Sequence, residues 1–246
     1  MPSEIPAPLS GLVVVFRAMQ LSVLVPTYCE AESLPALVPA VREALAGVEA
    51  ELLVLDDASP DGTADVADRL APGFCRAIRR TGPRGLSHAV IEGFAIAKGD
   101  CIAVMDADLQ HPPAALPALL KPLIDGSADL AVASRYVPGG GCESWSWARR
   151  KMSRFACWLA RNVTPVRDAT SGFFACRRSV VEGVAFNPRG WKIGLEVFVK
   201  GRWKNFLEVP YVFRSRRAGM SKASLGPALA YLAQLRSLKK GRRTQE

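Results

Sequence analysis

A chain of 246 residues is long enough for one α/β domain with a sizeable core. With 49% hydrophobic and 22% charged residues it is not a disordered chain, and no apolar run approaches the roughly 20 residues of a membrane span. The formal net charge of +9 asks for an anionic partner: nucleic acid, a phosphate-bearing substrate or an acidic membrane surface.

Residues 1–20 read as a poorly ordered leader. Gly-Leu-Val-Val-Val-Phe lacks the basic region of a signal peptide, and Met19 offers a second start. The β-rich run Leu21–Val25 predicts a first strand ending at Pro26, followed by helical spacing over Leu34–Leu45. Glu51–Leu55 is a second strand running into Asp56-Asp57, and Asp61-Gly-Thr opens a helix to Leu70. Phe74–Ile78 is strand-like, Ser87–Ala97 helical, and Cys101–Met105 a strand ending in Asp106-Ala107-Asp108. A helix over Ala114–Ile124 and a strand over Leu130–Ala133 complete an alternation that predicts βαβ units and a mostly parallel sheet with helices on both faces. Ligands of such sheets bind beyond the carboxyl ends of the strands.

After Gly139-Gly-Gly the pattern changes. Residues 146–161 are basic and amphipathic, with Trp147, Phe155 and Trp158 among the arginines. Ser171–Cys176 reads as a strand, Ile193–Gly201 as a helix, and Phe206–Phe213 as an edge strand interrupted by Pro210. Arg214–Ser221 reads as a mobile loop. A last helix, about 226–240, sets Leu225, Leu229, Leu232, Leu235 and Leu238 on one stripe, followed by Lys239, Lys240, Arg242 and Arg243. That stripe is expected to meet a membrane surface, or else the domain's own sheet. The six cysteines lack metal-ligand spacing and point to a reducing compartment without a disulfide framework.

Alternate residues leaving a strand can turn two carboxylates, Asp106 and Asp108, onto one hard cation, with Gln110 as a neutral oxygen ligand at the same period. Magnesium or manganese suits that set, and small Ala107 lets a ligand approach. The bland alternative is a pair of acids capping the next helix. His111, followed by Pro112-Pro113, reads as a solvated loop histidine. One carboxylate of Asp56-Asp57 can accept from a ribose or base while the other caps the helix near Asp61. Tyr28 offers a ring face for a base, and Glu30 an acceptor. The second half supplies cations: Arg135 after a strand, Arg149 one helical turn from Ser153, Lys192 before a helix, and Arg216 and Lys222 beside the loop. Guanidinium groups bind phosphate through paired hydrogen bonds. With two histidines in the chain, no Ser–His or Cys–His nucleophile arrangement stands out.

These segments resemble the dolichol-phosphate mannose synthases among the inverting family 2 glycosyltransferases. The similarity runs from Leu21 to Lys222 through Val-Pro-Thr-Tyr-Cys-Glu, Asp-Asp-Ala-Ser-Pro-Asp-Gly-Thr, Arg-Gly-Leu-Ser-His-Ala-Val-Ile-Glu-Gly-Phe, Met-Asp-Ala-Asp-Leu-Gln-His-Pro-Pro, Ser-Arg-Tyr-Val-Pro-Gly-Gly, Thr-Ser-Gly-Phe-Phe and Arg-Arg-Ala-Gly-Met-Ser-Lys. The resemblance implies an α/β fold of GT-A type, with residues 21–222 as catalytic domain and 223–246 as a basic amphipathic helix and tail. It implies GDP-mannose as donor, a polyprenyl (dolichyl) phosphate as acceptor, inversion at the sugar, and Mg2+ or Mn2+. Pro26, Tyr28, Glu30, Leu55 and Asp57 would hold the guanosine end. Asp106, Ala107, Asp108 and Gln110 would hold metal and diphosphate, and Arg135, Arg149 and Ser153 the acceptor phosphate. Lys192, Arg216 and Lys222 would complete the donor pocket. Cys29 stands where the family usually has Asn, and Met220 where it usually has Glu.

The expected protein is a cytoplasmic enzyme, peripheral at a membrane face. A UDP-sugar transferase (glucose or an amino sugar) acting on undecaprenyl phosphate is the nearest alternative. A phosphohydrolase with Asp106 as nucleophile is disfavoured, because the Asp-Ala-Asp follows the fourth strand rather than the first. Nucleic-acid binding is not expected, since the basic residues do not interleave with an aromatic RNA-binding motif.

Overall fold

The computed structural model describes residues 19–187, 192–215 and 226–242. Most of the expected leader, Arg216, Met220 and Lys222 therefore lie outside the described residues. Strands β1 (Leu21–Thr27), β2 (Ala50–Asp56), β3 (Cys75–Arg79), β4 (Cys101–Val104) and β5 (Leu130–Ser134) alternate with helices α1 (Leu34–Ala44), α2 (Thr63–Arg69), α3 (Leu86–Ile96) and α4 (Leu116–Ile124). A 3-10 turn at Pro113–Ala115 leads into α4. Then come β6 (Gly141–Cys142), α5 (Trp147–Ala160), β7 (Phe174–Arg177), α6 (Arg178–Val181), α7 (Ile193–Lys200), β8 (Phe206–Pro210), β9 (Val212–Phe213) and α8 (Gly226–Arg242).

Seven strands form one sheet in the order β3-β2-β1-β4-β7-β5-β8, with β6 and β9 as a separate parallel pair. Within the sheet only β7 runs against its neighbours, so β1, β2, β4 and β5 all end at the same edge. The chain moves outward from β1 to β3 and then returns to place β4 on the other side of β1. That reversal opens a crevice beyond the carboxyl ends of β1 and β4, where open α/β sheets bind ligands.

Strands β1, β4 and β5 are buried on both faces, which explains their near-continuous apolar sequences. Their period of two divides the core. Leu21, Val23, Val25, Leu52 and Val54 pack with Leu34, Leu37 and Val41 of α1 and Leu119 and Leu123 of α4. Leu24, Leu53, Leu55, Ile102 and Val104 pack with Val90 and Phe94 of α3 and Val197 and Phe198 of α7. Each such buried side chain stabilises by about 1.5–3 kcal/mol. On α3 the contact is closest at Gly93, where a Cβ would stand 2.8 Å from Leu55 Cδ1 and 2.9 Å from Leu24 Cδ1.

Pro210 closes the edge strand β8, and the chain resumes in β9 after Tyr211. The final helix differs from the expectation of a lipid-facing stripe. Leu235 and Leu238 are buried with Tyr231 against Ala160, Val163, Ala169 and Leu195, while Leu232 stays partly exposed. Tyr231 donates its hydroxyl to Ala156 O of α5 at 2.9 Å, and Gln234 Nε2 donates to Lys192 O at 3.1 Å. Leu235 and Leu238 follow the commoner rule for surface helices and face the protein's own core, while Leu225 and the side chain of Leu229 lie outside the described residues.

Candidate active site

At the end of β1, Pro26 is buried in the strand, Tyr28 is exposed, and Arg84 lies over the Tyr28 ring at 5.5 Å. Cys29 takes a left-handed φ of 58° and donates its N–H to Ser59 Oγ at 2.9 Å. Asn tolerates that conformation more readily than Cys, which gives the expected family residue a physical reason. Glu30 accepts from Ser33 Oγ at 2.7 Å, and its backbone N–H reaches Thr63 Oγ1 at 3.0 Å.

At the end of β2 the two carboxylates separate. Asp56 is a turn residue: its Oδ1 accepts from Ser59 Oγ at 2.5 Å and its Oδ2 from Ser59 N at 3.0 Å. Asp57 accepts from Gly85 N at 2.6 Å and pairs with the fully buried Arg80 guanidinium, which also bonds Glu92. Neither caps α2, contrary to expectation. The N-cap is Gly62, which offers no side chain; Asp61 just before it accepts from Thr63 N and from Ala31 N, both at 3.1 Å, and ties the β1 loop to α2. Leu55 is wholly buried in the core, so its side chain supports this rim from beneath.

Beyond β4, Asp106 and Asp108 flank buried Ala107. Leu109 adopts a positive φ of 60°, turning the chain so that Gln110 N donates to Asp108 Oδ1 at 3.1 Å. Gln110 Nε2 donates to Arg214 O at 3.1 Å, and Arg214 N returns a bond to Gln110 O at 2.9 Å. The described part of the basic loop is thus fastened to the acidic motif. Gly172 borders it too: a Cβ there would lie 3.7 Å from Asp106 Oδ2 and 3.5 Å from His111 Cε1.

His111 is buried, correcting the expectation of a solvated residue. Its ring stacks on Phe173 at 5.1 Å and meets Tyr211 and Phe213 edge-on. Nδ1 accepts from Asp106 N at 3.1 Å, which puts the proton of the neutral ring on Nε2. Burial pushes its pKa down to about 3, so it braces the acidic turn as a neutral group. Pro112-Pro113 gave a loop-like sequence, and the burying rings come from 60 to 100 positions away in sequence by rough count.

The cationic half lies near the acidic turn, since Lys192 feels the charges of both Arg135 and Asp106. Arg135, at the end of β5, is nearly buried and gives Nε and Nη2 to the two oxygens of Asp168, both at 2.7 Å. Nη2 also reaches Thr170 Oγ1 at 2.8 Å, and Arg135 N donates to Asp168 Oδ2 at 2.9 Å. Burial opposes its charge, but the Asp168 carboxylate outweighs burial and raises the pKa further. Trp145 stands between two arginines, with the Arg135 and Arg149 guanidinium carbons 5.1 and 4.2 Å from its ring centroid. Arg149 and Ser153 belong to α5, whose first turn is capped by Ser146 Oγ accepting from Arg149 N. Lys192 precedes α7 and donates Nζ to Thr170 O at 2.8 Å. Desolvation and the Arg135 charge push its pKa down to about 8 against the pull of Asp106 and Asp168.

Asp168, Thr170, Trp145, Gly172 and Arg80 had no role in the sequence reading. Thr170 and Gly172 belong to the Thr-Ser-Gly-Phe-Phe segment and Asp168 stands two residues before it, which was the available signal. Among the described residues, no cluster of three or more His, Cys, Asp or Glu side chains could hold a metal by itself. Asp106, Asp108 and the Gln110 amide nevertheless form a hard oxygen donor set, bordered by the missing side chain of Gly172. Such oxygen donors suit a hard divalent ion such as magnesium or manganese.

The model of the family described as "Glycosyl transferase family 2" matches residues 22–184, from β1 through the Asp-Ala-Asp turn and α5 to α6. The chain belongs to glycosyltransferase family 2. Family relatives include the dolichol-phosphate mannosyltransferases of Pyrococcus furiosus, 44% identical over 90% of this chain, and of Saccharomyces cerevisiae, 37% identical over 90%. The polyprenol monophosphomannose synthase of Mycolicibacterium smegmatis is 39% identical over 82%. The chain spans 64%, 87% and 80% of these three relatives, respectively. The fold matches glucosyl-3-phosphoglycerate synthase of Mycobacterium tuberculosis, solved with Mn2+, UDP-glucose and phosphoglyceric acid: TM-score 0.66, 20% identity, 91% of this chain and 79% of that one. Mannosyl-3-phosphoglycerate synthase of Rubrobacter xylanophilus gives TM-score 0.66 at 17% identity, over 92% of this chain and 75% of that one. The family 2 domain here therefore has the GT-A-like α/β fold expected from sequence.

Proposed function

We propose that this chain transfers mannose from GDP-mannose to a polyprenyl (dolichyl) phosphate, with inversion, at the cytoplasmic face of a membrane. What carries the proposal is the convergence of the acidic turn and the cationic half, with Lys192 close enough to feel the charges of both Asp106 and Arg135, in a chain whose relatives are named dolichol-phosphate mannosyltransferase. The crevice beyond β1 and β2 would take the nucleoside against Tyr28, Glu30 and Asp57, with Arg80 holding Asp57 in place.

Asp106, Asp108 and Gln110 would hold Mg2+ or Mn2+, which would supply positive charge to the departing diphosphate. Among the described residues Arg135 commits Nε and Nη2 to Asp168 and Thr170, and its Nη1 would grip the acceptor phosphate together with Arg149 and Ser153. One phosphate oxygen forms the bond to the anomeric carbon as the bond to the diphosphate oxygen breaks on the opposite face. The acceptor is already ionised near neutral pH, so positioning and charge suffice without a strong general base. Arg216 and Lys222 complete this proposed set from outside the described residues.

Product analysis with GDP-mannose and UDP-glucose, each offered dolichyl and undecaprenyl phosphate, tests the proposal. Mannosyl-phosphoryl lipid from GDP-mannose is expected, and a preference for the UDP-sugar would replace the donor assignment. Arg149→Ala should raise the acceptor KM about ten- to a hundredfold, the equivalent of about 1.5–3 kcal/mol for a charge-assisted bond, with little change for the donor. A rise confined to the donor KM would remove Arg149 from the acceptor site. Lys192 adds a pH dependence. Its pKa of about 8 means the positive charge is present at neutral pH and lost above that value. The profile of kcat/KM should fall on an alkaline limb near 8, and Lys192→Arg should move that limb to higher pH.

A further inference from the structure

Guanidinium groups and aromatic rings alternate in a row near the end of β5. The Arg149 guanidinium carbon lies 4.2 Å from the Trp145 ring centroid, and that of Arg135 lies 5.1 Å from the same ring. Arg135 stands in turn 5.3 Å from Tyr136, whose ring meets Arg154 at 5.7 Å. All of these distances fall within the roughly 6 Å over which a ring attracts a cation. Arg135 also has a carboxylate partner, Asp168, bound through Nε and Nη2. Among the described residues no carboxylate pairs with Arg149, which is exposed, and the Trp145 ring is what its guanidinium meets.

Trp145 is an expensive choice for filling space. It packs edge-on against Phe213 at 5.4 Å, yet its Nε1 is buried with no hydrogen-bond partner among the described residues. A buried N–H left unpaired is unfavourable, and Phe or Leu would pack there without one. An indole presents the best cation-attracting face, a phenyl ring a weaker one and an aliphatic side chain none. Such a face steadies a guanidinium without using its N–H donors, which lie in the plane of the group. A carboxylate would also steady Arg149, but it would offset the charge and occupy the donors that a phosphate needs. The two arginines are thus held by different means, Arg135 chiefly by Asp168 and Arg149 by an aromatic face.

We propose that Trp145 is a positioning residue of the acceptor site, whose ring holds the Arg149 guanidinium in place with its donors uncommitted for a phosphate monoester. This rests on the proposed assignment of Arg149 to the acceptor phosphate. Without the ring, the long side chain would spread over many rotamers, and each incoming phosphate would have to order it. The donor should be little affected, because β4 and β7 separate β5 from the strands β1 and β2 that carry the nucleoside crevice.

The test measures KM for farnesyl phosphate and for GDP-mannose, and titrates farnesyl phosphate calorimetrically with no donor present. Trp145→Leu should raise the farnesyl phosphate KM and Kd about three- to tenfold, with donor KM and kcat changed less than about twofold. Trp145→Phe, which keeps a weaker face, should fall between the native protein and Trp145→Leu. In an Arg149→Ala background Trp145→Leu should add less than about twofold, since the ring then has no Arg149 to hold and Asp168 still fixes Arg135. The full factor appearing again in that background would overturn the proposal. So would unchanged acceptor binding in Trp145→Leu, or equal rises in acceptor and donor KM, which mark a general loss of structure. Should Trp145→Leu fail to fold, the same cycle is run with Trp145→Phe, whose smaller rise must also vanish in the Arg149→Ala background. Unaltered acceptor KM in Arg149→Ala alone would defeat the assignment of Arg149 itself, and the role of Trp145 with it. A normal Arg149→Ala effect without dependence on Trp145 would defeat only the positioning role.

Discussion

Asp108→Asn is expected to lower turnover by about a hundred- to a thousandfold while leaving the fold intact. The substitution keeps the side chain's shape and an oxygen that can accept from Gln110 N, so the turn at Leu109 should survive. What it removes is a negative charge from the pair proposed to hold a divalent cation against a diphosphate. Stabilisation of developing transition-state charge is commonly the largest catalytic contribution, and loss of one such contact costs about 2.7–4 kcal/mol. Circular dichroism should match the native protein, and titration of Mn2+ followed by the paramagnetic signal of the free ion should show weaker binding. Native turnover should vanish in chelator-treated buffer and return with Mg2+ or Mn2+. Full activity of Asp108→Asn in that buffer without added metal would end the metal assignment.

The strand-end chemistry was legible because short-range pattern and position coincide there. Apolar runs such as Leu21–Val25 and Cys101–Met105 lead directly into polar clusters, and a parallel sheet gathers those ends at one edge. The cationic half was legible only as a set of residue types. Arg135 and Asp168 are 33 positions apart, and nothing in their local sequence announces that each satisfies the other. His111 was misread for the same reason, since Phe173, Tyr211 and Phe213 bury it from positions distant in sequence. The two leucine-rich or aromatic amphipathic helices posed a related difficulty. Period identifies an apolar face but does not say what covers it, and here α8 turns its face inward while α5 leaves Trp147, Phe155 and Trp158 outside. Strands of two residues, β6 and β9, are too short for any period to register.

Asp168→Ala is expected to destabilise the protein by about 3–5 kcal/mol, the usual cost of stranding one member of a buried ion pair. Asp168 is fully buried and answers three donors of Arg135, through the backbone N, Nε and Nη2. Its loss leaves a guanidinium enclosed by Tyr136, Trp145 and Phe213 with its principal counter-charge gone. For a chain of this size each kcal/mol lowers Tm by about 2–4 °C, so the variant should melt roughly 6–20 °C early. Stability alone does not separate a structural arginine from one that also binds substrate, and a second variant does. Replacing both partners with apolar side chains, as in Arg135→Met/Asp168→Leu, removes the stranded charge and should restore most of the lost stability, because well-packed apolar pairs often match buried ion pairs. Turnover should not return with it, since the phosphate would still lack its guanidinium. Recovery of both stability and near-native turnover in the double variant would make Arg135 a strut for the β5 end and pass the acceptor phosphate to Arg149 alone.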